Sequence, residues 1–240
     1  MGIENLKGKI FRLENDLLIM LATRGLISTF DFPMKFVGNS YSGYWFPESL
    51  MHSEGTIWGV GLGMDSSFEL ELGKQGWKVL GFEPDMRCFQ QAENEFREIN
   101  AELLPYGLWD KSGVFESFGQ SISLVNIFGS FSGNQDSLHI RDIHEVSDSL
   151  QLDKQKVPRV LKMNIEGAER EILLGMVLDP LPFEVVMFQA EFLLHLGFFR
   201  VFKKIRATCE LRSMIKGLIS NDFRLIHNHR NQFTLISSQI

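Results

Sequence analysis

The chain has little cysteine and no excess of positive charge. Its two cysteines, Cys88 and Cys209, lie far apart and lack the paired spacing of a metal or disulfide site, so we expect reduced thiols in a cytoplasmic protein. The 30 acidic and 24 basic residues give a net charge of −6. Because no global basic field results, we expect no nucleic-acid partner. With 240 residues, 44% of them hydrophobic, the chain can bury one substantial core but leaves no room for a second catalytic domain.

An uninterrupted apolar run is also absent near the start of the sequence. Glu4, Glu14 and Asp16 interrupt residues 1–21, so we expect neither a signal peptide nor a transmembrane segment. The apolar positions of this stretch recur at helical spacing: Ile10, Leu13, Leu17, Leu18 and Leu21. We expect a helix whose apolar face packs on the main domain. The alternatives are a membrane-surface helix and a helix that forms a homo-oligomer.

Several catalytic motifs are missing. The chain contains no G-x-S-x-G nucleophile elbow, no G-x-x-x-x-G-K-[ST] phosphate loop and no Tyr followed four residues later by Lys. These absences argue against hydrolase, ATPase and reductase functions. His139 and His144 flank Asp142 in HIRDIHE, but neither a His-Glu-x-x-His motif nor a Cys/His cluster accompanies them. We therefore expect no metal site.

The segment from Thr56 to Asp85, TIWGVGLGMDSSFELELGKQGWKVLGFEPD, has the pattern of strand, glycine turn, helix and second strand. Gly76 is expected to end the helix. Gly61 and Gly63 follow the first strand, where a sharp turn lets a ligand approach the bare backbone. Glu83 follows the second strand, twenty residues after Gly63. A carboxylate there can accept hydrogen bonds from both hydroxyls of a ribose, so the segment predicts a nucleotide-type cofactor.

The glycine pattern departs from the dinucleotide-binding fingerprint. Gly59, Gly61 and Gly63 give G-x-G-x-G, but Ser66 stands at the last glycine position of G-x-G-x-x-G. Asp65 beside the turn would repel a pyrophosphate and attract an ammonium or sulfonium group. S-adenosylmethionine has both of these cations and no phosphate, so we favour it as the cofactor. The alternative is an ordinary tight strand–helix turn with a surface Glu.

A second strand–helix pattern, VPRVLKMNIEGAEREILLGM, extends from Val157 to Met176. Four polar residues cluster at its junction: Lys162, Asn164, Glu166 and Glu169. At this point the chain resembles the FkbM-type methyltransferase family, whose members have a glycine turn, a strand ending in FEP and a junction of the K-x-D-x-E-G-x-E kind. The matching stretches are GVGLGMDSSFE, GFEPD and LKMNIEGAE, together with GLWDKSG and FQAEF. The resemblance extends from about Tyr41 to the C-terminus.

The resemblance implies a Rossmann-like class I methyltransferase fold, with a mostly parallel seven-stranded sheet, helices on both faces and a C-terminal antiparallel hairpin. It implies methyl transfer from S-adenosylmethionine to a small-molecule acceptor, preferably at a hydroxyl oxygen. The candidate cofactor-binding residues are Gly59, Gly61, Gly63, Asp65, Glu83, Leu108 and Asn164. Glu166 and Glu191 are candidate general bases, because both are expected at the carboxyl ends of core strands. The alternative for each is that it only caps the following helix.

Two positions differ from the family pattern. Asn164 stands where the family usually has Asp, which keeps a short polar acceptor and removes its charge. Gly59 stands where many class I methyltransferases have an acidic residue that holds the methionine amino group. These differences motivate the alternative function, a catalytically inactive methyltransferase-fold binding module that acts through a partner.

The sequence divides into an N-terminal extension and a main domain without internal repeats. Residues 1–50 are expected to form a helical and aromatic-rich extension that either covers the cofactor site as a lid or packs on the sheet edge. Residues 51–240 are expected to form the methyltransferase domain, with a long Ser/Gly-rich loop from Ser117 to Ser137 and a helix ending near Ser220. FRLIHN and QFTLIS, separated by residues 229–231, predict the closing hairpin.

Overall fold

The computed structural model describes residues 3–28, 32–40, 42–118, 135–150, 159–165, 167–190 and 201–240. Within these ranges the helices are α1 (Ile3–Thr23), α2 (Ser67–Lys74), α3 (Met86–Glu95), α4 (Ile143–Ser149), α5 (Glu169–Leu178) and α6 (Val201–Ser220). Short 3₁₀ turns occupy Glu48–Leu50 and Phe96–Glu98. The strands are β1 (Met34–Val37), β2 (Tyr44–Pro47), β3 (Thr56–Val60), β4 (Lys78–Phe82), β5 (Ala101–Leu104), β6 (Gly107–Trp109), β7 (Gly113–Phe118), β8 (Gln135–Asp142), β9 (Arg159–Met163), β10 (Val185–Gln189), β11 (Phe223–His229) and β12 (Gln232–Ser237).

Seven strands form the central sheet in the order β5-β4-β3-β9-β10-β12-β11. The pairs from β5 to β10 are parallel, whereas β12 runs antiparallel to both β10 and β11. The last two strands therefore form an antiparallel hairpin, with β12 inserted next to the parallel part. This arrangement confirms the predicted Rossmann-like class I methyltransferase fold.

The parallel strands form because each is apolar enough to be covered on both faces. Every residue of β3 is buried, and four of the five residues of β4 and of β9 are buried. Continuous apolar runs of this kind are typical of parallel strands between two helical layers. The core on one face contains Trp58 and Phe82, and the core on the other face contains Phe46, Phe68 and Trp77.

The aromatic segment before β3 folds as a two-stranded hairpin of β1 and β2 that packs beside α2. Tyr44 and Phe46 are buried, and their rings contact the ring of Phe68 with centroids 5.6 and 6.1 Å apart. Part of the N-terminal extension is therefore continuous with the core of the main domain. Phe30 and Tyr41, two further aromatic residues of this segment, lie outside the described residues.

A second, three-stranded sheet with the order β6-β8-β7 was not predicted. The sequence predicts a loop from Ser117 to Ser137, but β7 continues to Phe118 and β8 begins at Gln135. The prediction is wrong at both ends of this segment because the Ser/Gly-rich composition concealed a period-two pattern. Leu138 is buried while its neighbours in β8 are exposed, which is the alternation of a strand covered on one face. Residues 119–134 lie outside the described part of the chain.

Helix α1 contacts α6 through a different face from the one predicted. Ile19 and Ala22 are buried, whereas the side chains of Leu13, Leu17 and Leu21 are 69%, 51% and 46% exposed. Polar contacts explain this orientation: Lys204 Nζ lies 2.9 Å from Glu14 Oε2, and Arg212 Nη1 donates to the Ala22 carbonyl at 2.9 Å. Leu13, Leu17 and Leu21 of the apolar stripe therefore face solvent, while Leu18 is half-buried. The side chain of Ile10 is outside the described part.

Helix α6 ends at Ser220, the residue at which the sequence predicts its end. Among the helices that the structure describes, none is long and apolar enough to cross a membrane.

Candidate functional site

The glycine turn after β3 joins the ends of three neighbouring strands. Gly61 has φ +75° and donates its N–H to the Phe82 carbonyl of β4 at 2.9 Å. A Cβ on Gly61 would lie only 2.3 Å from the backbone oxygen of Asn164, just beyond β9. At Gly63, with φ +60°, a Cβ would meet no described atom within 4 Å. Gly61 is thus required for close strand packing, while no described residue fills the space beside Gly63.

Glu83 follows β4 and connects the glycine turn to the next loop. Its Oε2 accepts a hydrogen bond from Gly63 N at 2.8 Å, and its Oε1 accepts one from Asp85 N at 2.9 Å. Glu83 is 5% exposed, and this burial raises its pKa above the ordinary value, although the backbone N–H groups of Gly63, Asp85 and Leu62 act in the opposite direction. Each carboxylate oxygen has a second lone pair, so the group can accept two further donors.

Asp85 begins helix α3 and stabilises its first turn. Its side chain accepts hydrogen bonds from the backbone N–H groups of Arg87 and Cys88 and from the Arg87 guanidinium at 2.8 Å. Burial alone would raise the pKa of Asp85, but the hydrogen bonds from Arg87 outweigh it, so the pKa lies below its ordinary value. Burial, together with the charges of Glu83 and Asp85, raises the pKa of the Cys88 thiol to about 11. The thiol is therefore protonated at neutral pH.

Asp65 contacts the β1–β2 hairpin. Its carboxylate accepts hydrogen bonds from the side-chain amide of Asn39 and from Ser67 N, the latter at 3.1 Å. Burial would raise the pKa of Asp65, but hydrogen bonds from Asn39, Ser42 and Ser67 lower it below its ordinary value. The negative charge that the sequence places beside the glycine turn thus also holds the tip of the hairpin.

The junction after β9 lies directly beside the glycine turn. Asn164 is half-buried, and its N–H donates to the Val60 carbonyl at 3.0 Å. Gly167, with φ +111°, donates its N–H to Glu169 Oε2 at 2.7 Å, and Glu169 is fully buried at the start of α5. The structure therefore brings Asn164 to the strand end where the sequence predicts a cofactor contact.

Both candidate general bases, Glu166 and Glu191, lie outside the described residues. Their neighbours are placed at the carboxyl edge of the sheet. Glu166 stands between Ile165 and Gly167, and Glu191 directly follows Ala190, whose N–H donates to the Asn231 carbonyl at 2.8 Å. Their roles stay predictions.

Two other candidates lie inside the core. Gly59 is buried within β3, and a Cβ on it would lie 2.8 Å from both Cγ and Oε1 of Glu69. Leu108 is buried in β6, where its side chain belongs to the core that contains Trp58. The side chain of Leu108 packs against protein, so a contact from this position to a ligand would come from its backbone.

The end of the β11–β12 hairpin reaches the same edge of the sheet as the strand end of β10. Gln232 pairs with Gln189, and its side-chain amide donates to the Gly43 carbonyl of the β1–β2 hairpin at 3.0 Å. The His227 ring packs against Trp45 with centroids 5.1 Å apart, and burial lowers the pKa of His227, as does the charge of His229. The two hairpins together border the edge next to β10.

Sequence reasoning missed a buried ion pair beneath the glycine turn. Lys162 Nζ on β9 lies 2.9 Å from Glu69 Oε1 on α2, and both side chains are fully buried. A signal was present in the sequence, because a lysine within the apolar strand RVLKM needs a buried counter-charge. Its partner was not identifiable, since nothing in the sequence SFELELGK distinguishes the fully buried Glu69 from the half-buried Glu71 two residues later.

The histidines considered as metal ligands do not form a cluster in the described structure. His139 is exposed on β8, and His144 Nδ1 lies 3.4 Å from Asp179 Oδ2. Within the described ranges, no group of three His, Cys, Asp or Glu side chains could hold a metal ion.

No family model matches the chain, and no curated protein matches it. Among solved structures it is similar to an O-methyltransferase from Bacillus cereus in complex with SAH, with 8% identity, TM-score 0.39 and coverage of 93% of this chain and 79% of that chain. It is also similar to the fibrillarin pre-rRNA processing protein of Methanococcus jannaschii, with 9% identity, TM-score 0.41 and coverage of 89% and 85%. A third is the precorrin-6y C5,15-methyltransferase of Geobacter metallireducens GS-15, with 10% identity, TM-score 0.36 and coverage of 79% and 83%. Because these TM-scores are below 0.5, the fold assignment rests on the strand order of this chain.

Proposed function

We propose that the chain is an FkbM-type S-adenosylmethionine-dependent methyltransferase that methylates a hydroxyl oxygen of a small molecule. The proposal depends mainly on the buried Glu83 carboxylate, which lies at the carboxyl end of β4 and accepts the N–H of Gly63 in the glycine turn. Ligands of open α/β sheets bind at this edge. The stretches that resemble the family, GVGLGMDSSFE, GFEPD and LKMNIEGAE, include the ends of the neighbouring strands β3, β4 and β9, which supports the same proposal.

The turn suits a nucleoside better than a pyrophosphate. A phosphate needs free backbone N–H groups, but the Gly63 N–H is already bonded to Glu83. The charges of Glu83 and Asp65 would also repel a phosphate. By contrast, the second lone pairs of the Glu83 oxygens can accept the two ribose hydroxyls. We therefore assign Glu83 to the ribose, the backbone of Gly61 and Gly63 to the adjoining part of the cofactor, and Asn164 to a polar contact beside them.

The chemistry that the protein must provide is mainly alignment and proton removal. The cofactor supplies an electrophilic methyl carbon on its sulfonium sulfur. When the acceptor oxygen displaces the sulfur and takes the methyl group, a carboxylate of the protein would accept the hydroxyl proton. We assign this base to Glu166 or Glu191, which follow the neighbouring strands β9 and β10 in the sequence.

Isothermal titration with S-adenosylmethionine and S-adenosylhomocysteine tests the proposal. We expect saturable binding of both molecules. Failure to bind either of them with a Kd below about 1 mM, which corresponds to about −4 kcal/mol, would exclude the proposal. Incubation of the protein with metabolite extracts and methyl-labelled cofactor would then identify the acceptor as the labelled product. Cofactor binding without any labelled product would favour the inactive binding module.

A further inference from the structure

The space beside Gly59 is filled by a carboxylate from another element. Gly59 on β3 and Lys162 on β9 are direct partners in the parallel register. A side chain at position 59 would therefore start next to Lys162, but its Cβ would lie 2.8 Å from Cγ and Oε1 of Glu69. The absence of a side chain at Gly59 thus gives Glu69 room to reach across from α2.

Glu69 holds the Lys162 ammonium directly below the glycine turn. Glu69 Oε1 and Lys162 Nζ are 2.9 Å apart, and Nζ lies 3.5 Å from the Gly61 carbonyl oxygen. The ammonium also lies 5.5 Å from the ring centroid of Tyr44, whose hydroxyl donates to the Met163 carbonyl at 3.1 Å. No hydrogen-bond donor among the described residues reaches Glu69 Oε2. Lys162 is therefore the charge that balances Glu69.

A fully buried ion pair is a poor means of gaining stability. Desolvation of two charges offsets most of their attraction, and replacement by apolar residues of similar volume is often neutral or stabilising. One contact of this pair instead reaches the glycine turn: Lys162 Nζ lies 3.5 Å from the carbonyl oxygen of Gly61, two residues before the Gly63 N–H that contacts Glu83. The pair is thus placed to fix the orientation of the turn.

We propose that Glu69 and Lys162 are positioning residues for the cofactor, because together they hold the Gly61 carbonyl and so set the turn at which the cofactor binds. This inference rests on the proposed function. The ion pair need not touch the cofactor, since it acts through the backbone of the turn.

The double variant Glu69→Leu with Lys162→Met separates positioning from stability. It removes both charges while keeping the volumes similar, so the thermal midpoint should stay the same or rise. We expect affinity for S-adenosylhomocysteine to fall about tenfold or more, since the charged contact to the turn is lost. A folded double variant that binds as tightly as the unchanged protein would overturn the inference. If the unchanged protein does not bind S-adenosylhomocysteine, the proposed function itself fails.

A rescue experiment provides the second test. Glu69→Ala leaves Lys162 without its partner and should weaken binding or prevent folding. Adding Gly59→Asp to Glu69→Ala supplies a carboxylate from the register partner of Lys162, in the space that Glu69 has left. We expect this double variant to fold and to recover most of the affinity for S-adenosylhomocysteine. If Gly59→Asp restores neither folding nor affinity, or if Glu69→Ala alone binds normally, the inference is wrong.

Discussion

Two glycines with positive φ follow strand ends of this sheet, and each donates its N–H to a buried glutamate. Gly63 follows β3 and donates to Glu83 at 2.8 Å, whereas Gly167 follows β9 and donates to Glu169 at 2.7 Å. The two glutamates differ in where they come from. Glu83 is twenty residues away and follows the neighbouring strand, but Glu169 is two residues away, in the first turn of α5.

We propose that this difference separates a ligand-binding carboxylate from a structural one. Glu169 satisfies a backbone N–H at the start of its own helix, where donors lack intrahelical partners. That requirement is the same with or without a ligand. Glu83 instead joins two strand ends, next to a glycine beside which no described residue lies, so its remaining lone pairs can accept donors from a cofactor bound there.

The largest expected effect concerns the junction after β9, where Glu166 stands between Asn164 and Gly167. If Glu166 is the general base, Glu166→Gln keeps the shape but cannot accept the proton, so turnover should fall about 10² to 10⁴ fold. Affinity for S-adenosylmethionine should stay within a few fold. Both quantities are measured with the acceptor found by methyl labelling, and Glu191→Gln is the matched variant. A joint loss of affinity and turnover would make Glu166 a cofactor or structural residue, and no change in either would make it a helix cap.

The two glycines of the β3 turn should differ in their effect on folding. Gly61→Ala places a Cβ 2.3 Å from the backbone of Asn164 at φ +75°, so we expect a loss of about 2 to 5 kcal/mol in the free energy of unfolding. Gly63→Ala meets no described atom and should cost about 1 to 2 kcal/mol through φ strain alone. Urea unfolding of both variants measures the difference. Equal losses of unfolding free energy in the two variants would show that the close contact with Asn164 does not determine the cost of a side chain at position 61.

Removal of the Glu83 carboxylate should act on binding. Glu83→Ala should weaken S-adenosylhomocysteine binding by about 2 to 4 kcal/mol, because charge-assisted hydrogen bonds to the ribose are lost. Glu169→Ala leaves the Gly167 N–H unpaired in a comparable way and should lower stability while affinity stays within a few fold. Calorimetric titration of the two folded variants tests the contrast. Unchanged affinity in Glu83→Ala would remove Glu83 from the site.

The pH dependence of Glu83 should be opposite in sign to that of Asp65. Burial raises the pKa of Glu83 above 4.5. The contribution of Glu83 to stability is therefore fully present below pH 4.5, and it is lost as the pH rises through the folded-state pKa. Hydrogen bonds hold the pKa of Asp65 below 3.8, so its contribution is present above that pH and is lost on acidification. Binding that needs ionised Glu83 should weaken as the pH falls through its raised pKa.

Two neutral variants measure these opposite contributions. In the Glu83→Gln variant, the affinity for S-adenosylhomocysteine should no longer fall at acidic pH. The free energy of unfolding should also depend less on pH above pH 4.5. Asp65→Asn should reduce the loss of stability on acidification. If binding by the Glu83→Gln variant still weakens as the pH falls, the titrating group is a residue other than Glu83.

The smallest effect is expected at the hairpin. Asn39→Ala removes the exposed hydrogen bond to Asp65 and the acceptor of the Ser42 N–H, and should lower the free energy of unfolding by about 0.5 to 1.5 kcal/mol. Affinity for S-adenosylhomocysteine should change by less than about twofold, which is under 0.5 kcal/mol. Thermal unfolding and titration of the same sample measure both quantities. A large loss of affinity would mean that the hairpin orients the turn.

Much of the fold was predictable because its signals are local. The strand–turn–helix–strand pattern from Thr56 to Asp85 gave β3, α2 and β4, and VLKM with the following helix gave β9 and α5. The final hairpin was also predictable from its two apolar runs, although β11 continues to His229. Gly76, with φ +100°, follows α2 as its pattern indicated.

The remaining features depend on contacts that one sequence does not reveal. The face of α1 that packs was mispredicted because Glu14 and Arg212 make polar contacts with residues nearly two hundred positions away. The pairing of β7 with β8 spans a Ser/Gly-rich segment whose composition suggests a loop. Glu69 was overlooked because the burial of this α2 residue depends on Gly59 and Lys162, which lie on the strands β3 and β9.

A crystal structure of the protein with S-adenosylhomocysteine would test the central claim most directly. We predict that both ribose hydroxyls lie within about 3 Å of the Glu83 carboxylate oxygens, a hydrogen-bond distance. The adenosine should occupy the space beside Gly63, with the Gly63 N–H still close to Glu83. Binding of S-adenosylhomocysteine at another edge of the sheet, or with its ribose away from Glu83, would contradict the account.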